Sequence, residues 1–133
     1  MTVGELMQRN VTSIRSEASV AEAVLTLADS HISGVPVLDG AGKMIGVLSS
    51  SDVLAAEAEA GDAGARQTLL ENTQVRDIMT RKPYTIGPGA DVREAAQQML
   101  YADVHRLFVT EADAVVGVIS TTDIVRAVAK GQL

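Results

Sequence analysis

Two short segments hold the residues whose types and spacing could do chemistry. One reads GVISTTD, residues 117–123, and the other GVLSSSD, residues 46–52. In each, a β-prone run ends and a helix-like run begins at the hydroxyl residues. The first turn of a helix leaves backbone N–H groups unpaired, and these groups together with the helix dipole favour an anion. Ser120 and Thr122, or Ser49 and Ser51, add hydroxyl donors for a phosphate. Asp123 or Asp52 adds an acceptor suited to a ribose diol. Gly117 lets backbone or ligand approach without a β-carbon. The same spacing, [ST]-x-x-[DE], also fits a capping box. Such a cap stabilises a helix start by ~1 kcal/mol and needs no ligand. The residue types alone leave both readings open, because a duplication copies caps as well as sites.

Composition narrows the chemistry these corners could serve. The chain of 133 residues has no cysteine and a formal net charge of −6. Disulfides, thiol catalysis and thiolate metal sites are therefore excluded. The acidic balance disfavours broad attachment to nucleic acid or an anionic membrane surface. Tyr84, Tyr101 and Phe108 are the aromatic residues, too few for a stacking platform on single-stranded nucleic acid. His31 and His105 lie far apart, which does not suggest a metal site. His31, just before Ile32-Ser33-Gly34, reads as a partner for a helix dipole. Nowhere do a nucleophile and a base pair up, and there is no G-x-x-x-x-G-K-[ST] loop, so no enzymatic activity is expected. The start of the chain shows no charged-then-apolar leader, and no apolar run approaches the ~18 residues of a membrane span. A soluble cytoplasmic protein is the expectation.

The elements that position the two corners repeat along the chain. At a shift of 72, Val3 falls on Val75, Met7 on Met79, Ile14 on Ile86, Glu22 on Glu94 and Val37 on Val109. Beyond that the shift is 71, with Gly46 on Gly117, Ser49 on Ser120 and Asp52 on Asp123. The lost residue falls between Leu38 and Gly46, where Gly and Asp predict a hairpin loop that tolerates a change of length. Each copy predicts a short strand (11–14; 84–86), then a helix (about Ser19–Ser30; about Asp91–Ala102). Val20, Ala23, Val24 and Leu27, and Val92, Ala95, Ala96 and Met99, have helical spacing. Ser19 with Glu22, and Asp91 with Glu94, have capping-box spacing. Two strands follow (35–38 and 44–48; 106–109 and 114–119), then a second helix from about Ser50 or Thr121. Residues 57–74 read as helix broken at Gly61 and Gly64. The expected division is a first motif over 1–60, a helical connector over 61–74 and a second motif over 75–133. The expected fold class is α+β, with tandem β-α-β-β-α motifs packed as a pseudo-twofold pair. About 55 residues make a marginal core alone, so each motif needs the other. Met7 and Met79, in matching places, read as core or interface filler.

The order of these pieces carries a family resemblance. G-h-h-[ST]-x-x-D after two strands, V-x-D-I-M-T (Val75 to Thr80), the Pro83-to-Ile86 strand, H-R-L-F-V (105–109) and G-V-P-V (34–37) recur in a tandem arrangement. The chain resembles the CBS domain pair, or Bateman module, over essentially its whole length.

The resemblance implies a stand-alone, non-catalytic sensor that binds an adenine nucleotide, dimerises with a second copy and acts on a separate regulated protein. The implied ligand is AMP, ADP or ATP, with NAD or S-adenosylmethionine as other candidates. No cofactor, metal, membrane or nucleic-acid partner is implied. Asp52 or Asp123 would hold the ribose hydroxyls, while Ser49 and Ser51, or Ser120 and Thr122, would approach the phosphate. Ser13–Ile14 and Thr85–Ile86 would meet the adenine, and Val35, Pro36 and Leu107 would line the base pocket. The copies differ where His105 and Arg106 replace Ser33 and Gly34. An arginine grips phosphate through a fork of donors, so the Asp123 cleft is the expected nucleotide site. The rival reading is a structural dimerisation module without a ligand.

Overall fold

The computed structural model describes residues 1–133 apart from His31 and Lys82, so the dipole role expected of His31 lies outside the described residues. The chain folds as two compact units, 12–83 and 1–11 together with 84–133. Each is built around a three-stranded sheet, and the fold class is α+β.

The unit over 12–83 contains β1 (Ile14–Arg15), α2 (Val20–Asp29), β2 (Gly34–Leu38), β3 (Met44–Ser49), α3 (Ser50–Ala60) and α4 (Ala63–Asn72). The other contains the short α1 (Val3–Leu6), then β4 (Thr85–Ile86), α5 (Val92–Ala102), β5 (Arg106–Glu111), β6 (Ala114–Ser120) and α6 (Thr121–Ala129). β1 pairs parallel with β2, and β2 antiparallel with β3. β4, β5 and β6 repeat this order. The register repeats too, with Val37 opposite Gly46 and Val109 opposite Gly117. A register shift follows Val37 in one sheet and Val109 in the other.

The apolar spacing puts Val20, Ala23 and Leu27 of α2, and Val92, Ala95 and Met99 of α5, inside. Ser19 caps α2 by accepting from the Glu22 N–H at 3.1 Å. Asp91 caps α5 differently from the expected spacing, accepting from the Arg93 N–H at 2.8 Å. The first strands are shorter than expected, two residues each. The indel lies in the hairpin loops as expected: Ala112 and Asp113 turn the second with φ of 51° and 67°, the primed-turn conformation that suits a two-residue loop. In the connector, α3 ends at Gly61, whose φ of 79° favours glycine. Gly64 breaks nothing and lies within α4.

The two cores are crossed relative to the sequence repeat. Val3 and Met7 are buried with Ile86, Leu107, Val109 and Ile119 of the second motif. Val75 and Met79 are buried with Ile14, Val35, Val37 and Leu48 of the first. Each arm also adds a bridge to the outer strand. Gln8 and Val118 exchange N–H···O bonds of 2.8 and 2.9 Å, and Thr80 and Val47 two of 2.9 Å. Pairing of this kind covers an otherwise open sheet edge.

The glycines of both GV(I/L)S runs make this approach possible. A β-carbon on Gly117 would stand 2.9 Å from the Gln8 carbonyl oxygen and collide with Met7 Sδ. One on Gly46 would stand 2.7 Å from both the Thr80 carbonyl oxygen and Met79 Sδ. Of the two roles the sequence allowed for Gly117, the observed one is close approach of backbone. Gly117→Ala or Gly46→Ala is expected to destabilise by about 1–3 kcal/mol. Gly40→Ala, in open space, should stay within about 0.5 kcal/mol. Urea denaturation of the three variants checks this; equal stability of all three would mean the arms are not held by this contact.

Candidate functional site

At the end of β6 the chain turns into α6 through Ser120, the N-cap, in extended backbone conformation. Ser120 Oγ accepts from the Asp123 N–H at 3.2 Å, and Asp123 Oδ2 accepts from the Ser120 N–H at 2.9 Å. Ser49 and Asp52 form the same box at the start of α3, with distances of 3.2 and 2.9 Å. The capping function of both motifs is therefore real. It occupies only one oxygen of each carboxylate.

The other oxygens are met by the arms. Gln8 Nε2 donates to Asp123 Oδ1 at 3.2 Å, and Arg126 Nη1 lies 3.5 Å from the same oxygen. In the first motif the Thr80 hydroxyl lies 3.2 Å from Asp52 Oδ1 and 3.4 Å from Oδ2. Asp123 is buried, at 5% exposure, whereas Asp52 is half-buried.

The α6 corner is a concave site. The Thr121 N–H donates to the His105 carbonyl at 2.9 Å, which fastens the start of β5 beside the helix start. His105 and Arg106 thus flank the N-terminus of α6 from one side, with Arg126 one turn further along the helix. Together with Ser120, Thr122 and Asp123 they line an open pocket of about 400 Å³. Arg106 is half-buried; His105 and Thr122 are exposed. Two first-turn donors are engaged, Thr121 by His105 and Asp123 by Ser120 Oγ. The Thr122 N–H has no protein acceptor among the described residues. Side-chain cations, hydroxyl donors and the positive end of a helix face one cavity, a set that suits a phosphate.

The first corner differs by substitution. Ser33, Gly34 and Ala55 stand where the second has His105, Arg106 and Arg126. The fastening bond is the same in both, the Ser50 N–H donating to the Ser33 carbonyl at 2.9 Å. Ser51 is exposed and Ser49 half-buried.

The residues expected near the base divide. Ser13 and Ile14 border a separate open pocket of about 460 Å³ beside Arg15, Glu17 and Glu22. There Arg15 pairs with Glu17 at 2.8 Å. The Glu17 backbone N–H, the Ser16 hydroxyl and Arg15 hold the Glu17 carboxyl below the usual range. Thr85 is half-buried and Ile86 buried. Val35 and Leu107, expected at the base pocket, have no exposed surface and belong to the two cores. Pro36 is also fully buried.

Gln8 and Arg126 complete the second corner and escaped the sequence reading. The signal for Arg126 was present, since the shift of 71 sets it against Ala55. No motif marked Gln8, which reaches Asp123 across 115 residues. Among the described residues no three His, Asp or Glu groups gather as metal ligands, and no helix is long and apolar enough to cross a membrane.

The duplicated β-α-β-β-α framework, each copy ending in a capped helix start, defines a tandem-repeat domain pair. The chain matches the CBS domain over residues 3–59 and 75–130, and it belongs to the CBS-domain family. CBS-domain pairs are generally regulatory rather than catalytic. The chain is 27% identical to the uncharacterized protein MJ1225 of Methanocaldococcus jannaschii over 93% of its length. It is 30% identical to the chloroplastic CBS domain-containing protein CBSX1 of Arabidopsis thaliana over 95% of its length. It spans 41% and 63% of those two proteins respectively. Among solved structures it resembles Arabidopsis thaliana CBSX2 in complex with AMP, at a TM-score of 0.81 and 28% identity. That match covers 99% of this chain and 98% of the other.

The two boxes can be tested without any ligand. Ser49→Ala and Ser120→Ala each leave a first-turn N–H without its side-chain acceptor, and each is expected to lower stability by about 1 kcal/mol. Chemical denaturation measures the loss; a neutral effect at either position would show that water replaces the cap.

Proposed function

We propose that this chain is a non-catalytic sensor of adenine nucleotides, with AMP, ADP or ATP bound at the Asp123 corner. The observation that carries this reading is the convergence of His105, Arg106 and Arg126 on the start of α6. Arg106 and Arg126 grip phosphate oxygens, with the Ser120 and Thr122 hydroxyls beside them. Asp123 accepts from the ribose, and Thr85 and Ile86 meet the base. The likeness to CBSX2, a protein that takes AMP, supports the choice of ligand. The Asp52 corner lacks the cations and takes an uncharged adenosine-like group or nothing.

The occupied state is read by a separate regulated protein in the cytoplasm, through a homodimer. The dimer surface in this reading is the outer face of α5 and α6. There Leu100, Val125 and Val128 are 83%, 66% and 58% exposed around an apolar groove of about 280 Å³. Large exposed apolar surface of this kind marks an association site.

A second reading, a structural dimerisation module without a ligand, is favoured by the capping boxes, which are complete as they stand. Calorimetry and thermal shift against AMP, ADP, ATP, NAD and S-adenosylmethionine separate the two. A nucleotide at 100 times its Kd should add about 2.7 kcal/mol of stability. Arg106→Ala should weaken that nucleotide by about 10- to 100-fold through loss of a charge-assisted bond. If no compound changes stability, the structural reading stands. Leu100→Glu is expected to convert the dimer to monomer in light scattering; an unchanged mass would move the interface elsewhere.

A further inference from the structure

We infer that Gln8 is a gate on the ribose acceptor of the Asp123 corner, a reading that rests on nucleotide binding there. A carboxylate offers about four lone-pair positions, two on each oxygen. Asp123 Oδ2 gives one to the Ser120 N–H at 2.9 Å. Oδ1 has both of its positions filled, by Gln8 Nε2 at 3.2 Å and by Arg126 Nη1 at 3.5 Å. A vicinal diol needs two acceptors at once, and the buried Asp123 cannot turn to present new ones without breaking the cap. The ligand must therefore displace a donor already in place.

Gln8 is the donor that has to leave. Arg126 remains useful after displacement, because its guanidinium can turn to the phosphate. The Gln8 amide group has no such second role, being a neutral donor on the acceptor that the sugar requires. Its backbone is fixed by the paired bonds to Val118 of 2.8 and 2.9 Å, so the exposed side chain swings out while the arm stays docked. The first corner is built otherwise. Thr80 meets Asp52 with one hydroxyl, which rotates in place and can accept as well as donate. The gate thus belongs to the cationic corner, where it opposes the binding of ligands that place a diol on Asp123.

The test compares wild type with Gln8→Ala by calorimetry, using AMP and 2′,3′-dideoxy-AMP. Removing Gln8 should tighten AMP by about 3- to 10-fold, the worth of one hydrogen bond. Dideoxy-AMP, which has no hydroxyl to place on Asp123, should bind both proteins alike. Hydrogen exchange at the Val118 amide should be unchanged, showing that the arm is still docked. If wild type binds AMP and Gln8→Ala binds it equally or more weakly, Gln8 is not a gate. Equal tightening of both ligands overturns the inference too, since the effect would then bypass the ribose. If neither protein binds any nucleotide, the nucleotide reading itself fails, a result distinct from the other two.

Discussion

The contact on which both corners depend is the approach of a backbone arm to a glycine in the outer strand. At Gly117 and Gly46 the missing β-carbon lets a carbonyl come within the space that a side chain would fill. The paired N–H···O bonds to Val118 and Val47 then become possible. Burial of Val3 and Met7, or of Val75 and Met79, adds roughly 3–6 kcal/mol per arm on ordinary transfer values. That exceeds any single cap or surface ion pair in the unit. The arms are thus structural parts of their sheets, and their backbone is held in place as firmly as the strands. Gln8 and Thr80 reach the carboxylates for this reason alone.

A capping box and a ligand corner are compatible because the box takes up one carboxylate oxygen and an acceptor position of the serine hydroxyl, leaving its O–H to donate. The box engages the inner oxygen of Asp123 and the Ser120 hydroxyl. The outer oxygen and the Thr122 donors face the pocket. The cap serves the site by fixing the carboxylate rotamer and the helix start before any ligand arrives, and preorganisation lowers the ordering penalty of binding. Duplication copied this frame unchanged. What differs is the set of side chains around it: His105, Arg106 and Arg126 stand at one frame where Ser33, Gly34 and Ala55 stand at the other.

The helices were legible in the sequence because their periodicity is local: the buried positions of α2 and α5 are those that the spacing picked out. The indel identified the hairpin for a similar reason, as a turn is where length can change. The first strands were overestimated because two residues of parallel pairing leave little trace in a β-prone run. Gly64 shows that a helix absorbs an isolated glycine, at a cost near 1 kcal/mol, without breaking. The crossing of the arms was illegible. Val3 aligned with Val75 correctly, yet alignment says which residues are equivalent and nothing about which sheet each joins. That choice is made by contacts between residues such as Gln8 and Val118, or Thr80 and Val47, far beyond any local pattern. Asp123 and Arg106 were therefore readable from the motif, whereas Gln8 was not.

The same crossing bears on how a signal could leave the site. Because the arm over 1–11 belongs to the unit of the second motif, the residue that touches Asp123 lies near the start of the chain. The outer oxygen of that carboxylate accepts from two elements at once, the arm through Gln8 and α6 through Arg126. A ligand that places a diol on this carboxylate must displace at least one of these contacts. A ligand can shift an equilibrium only through contacts that differ between two states. The frame supplies rigidity, with the backbone of the arm pinned on Val118. The exchangeable part is confined to side chains at the rim of the pocket. Such a division would confine any response to occupancy to the side chains of Gln8 and Arg126 while the core stays intact.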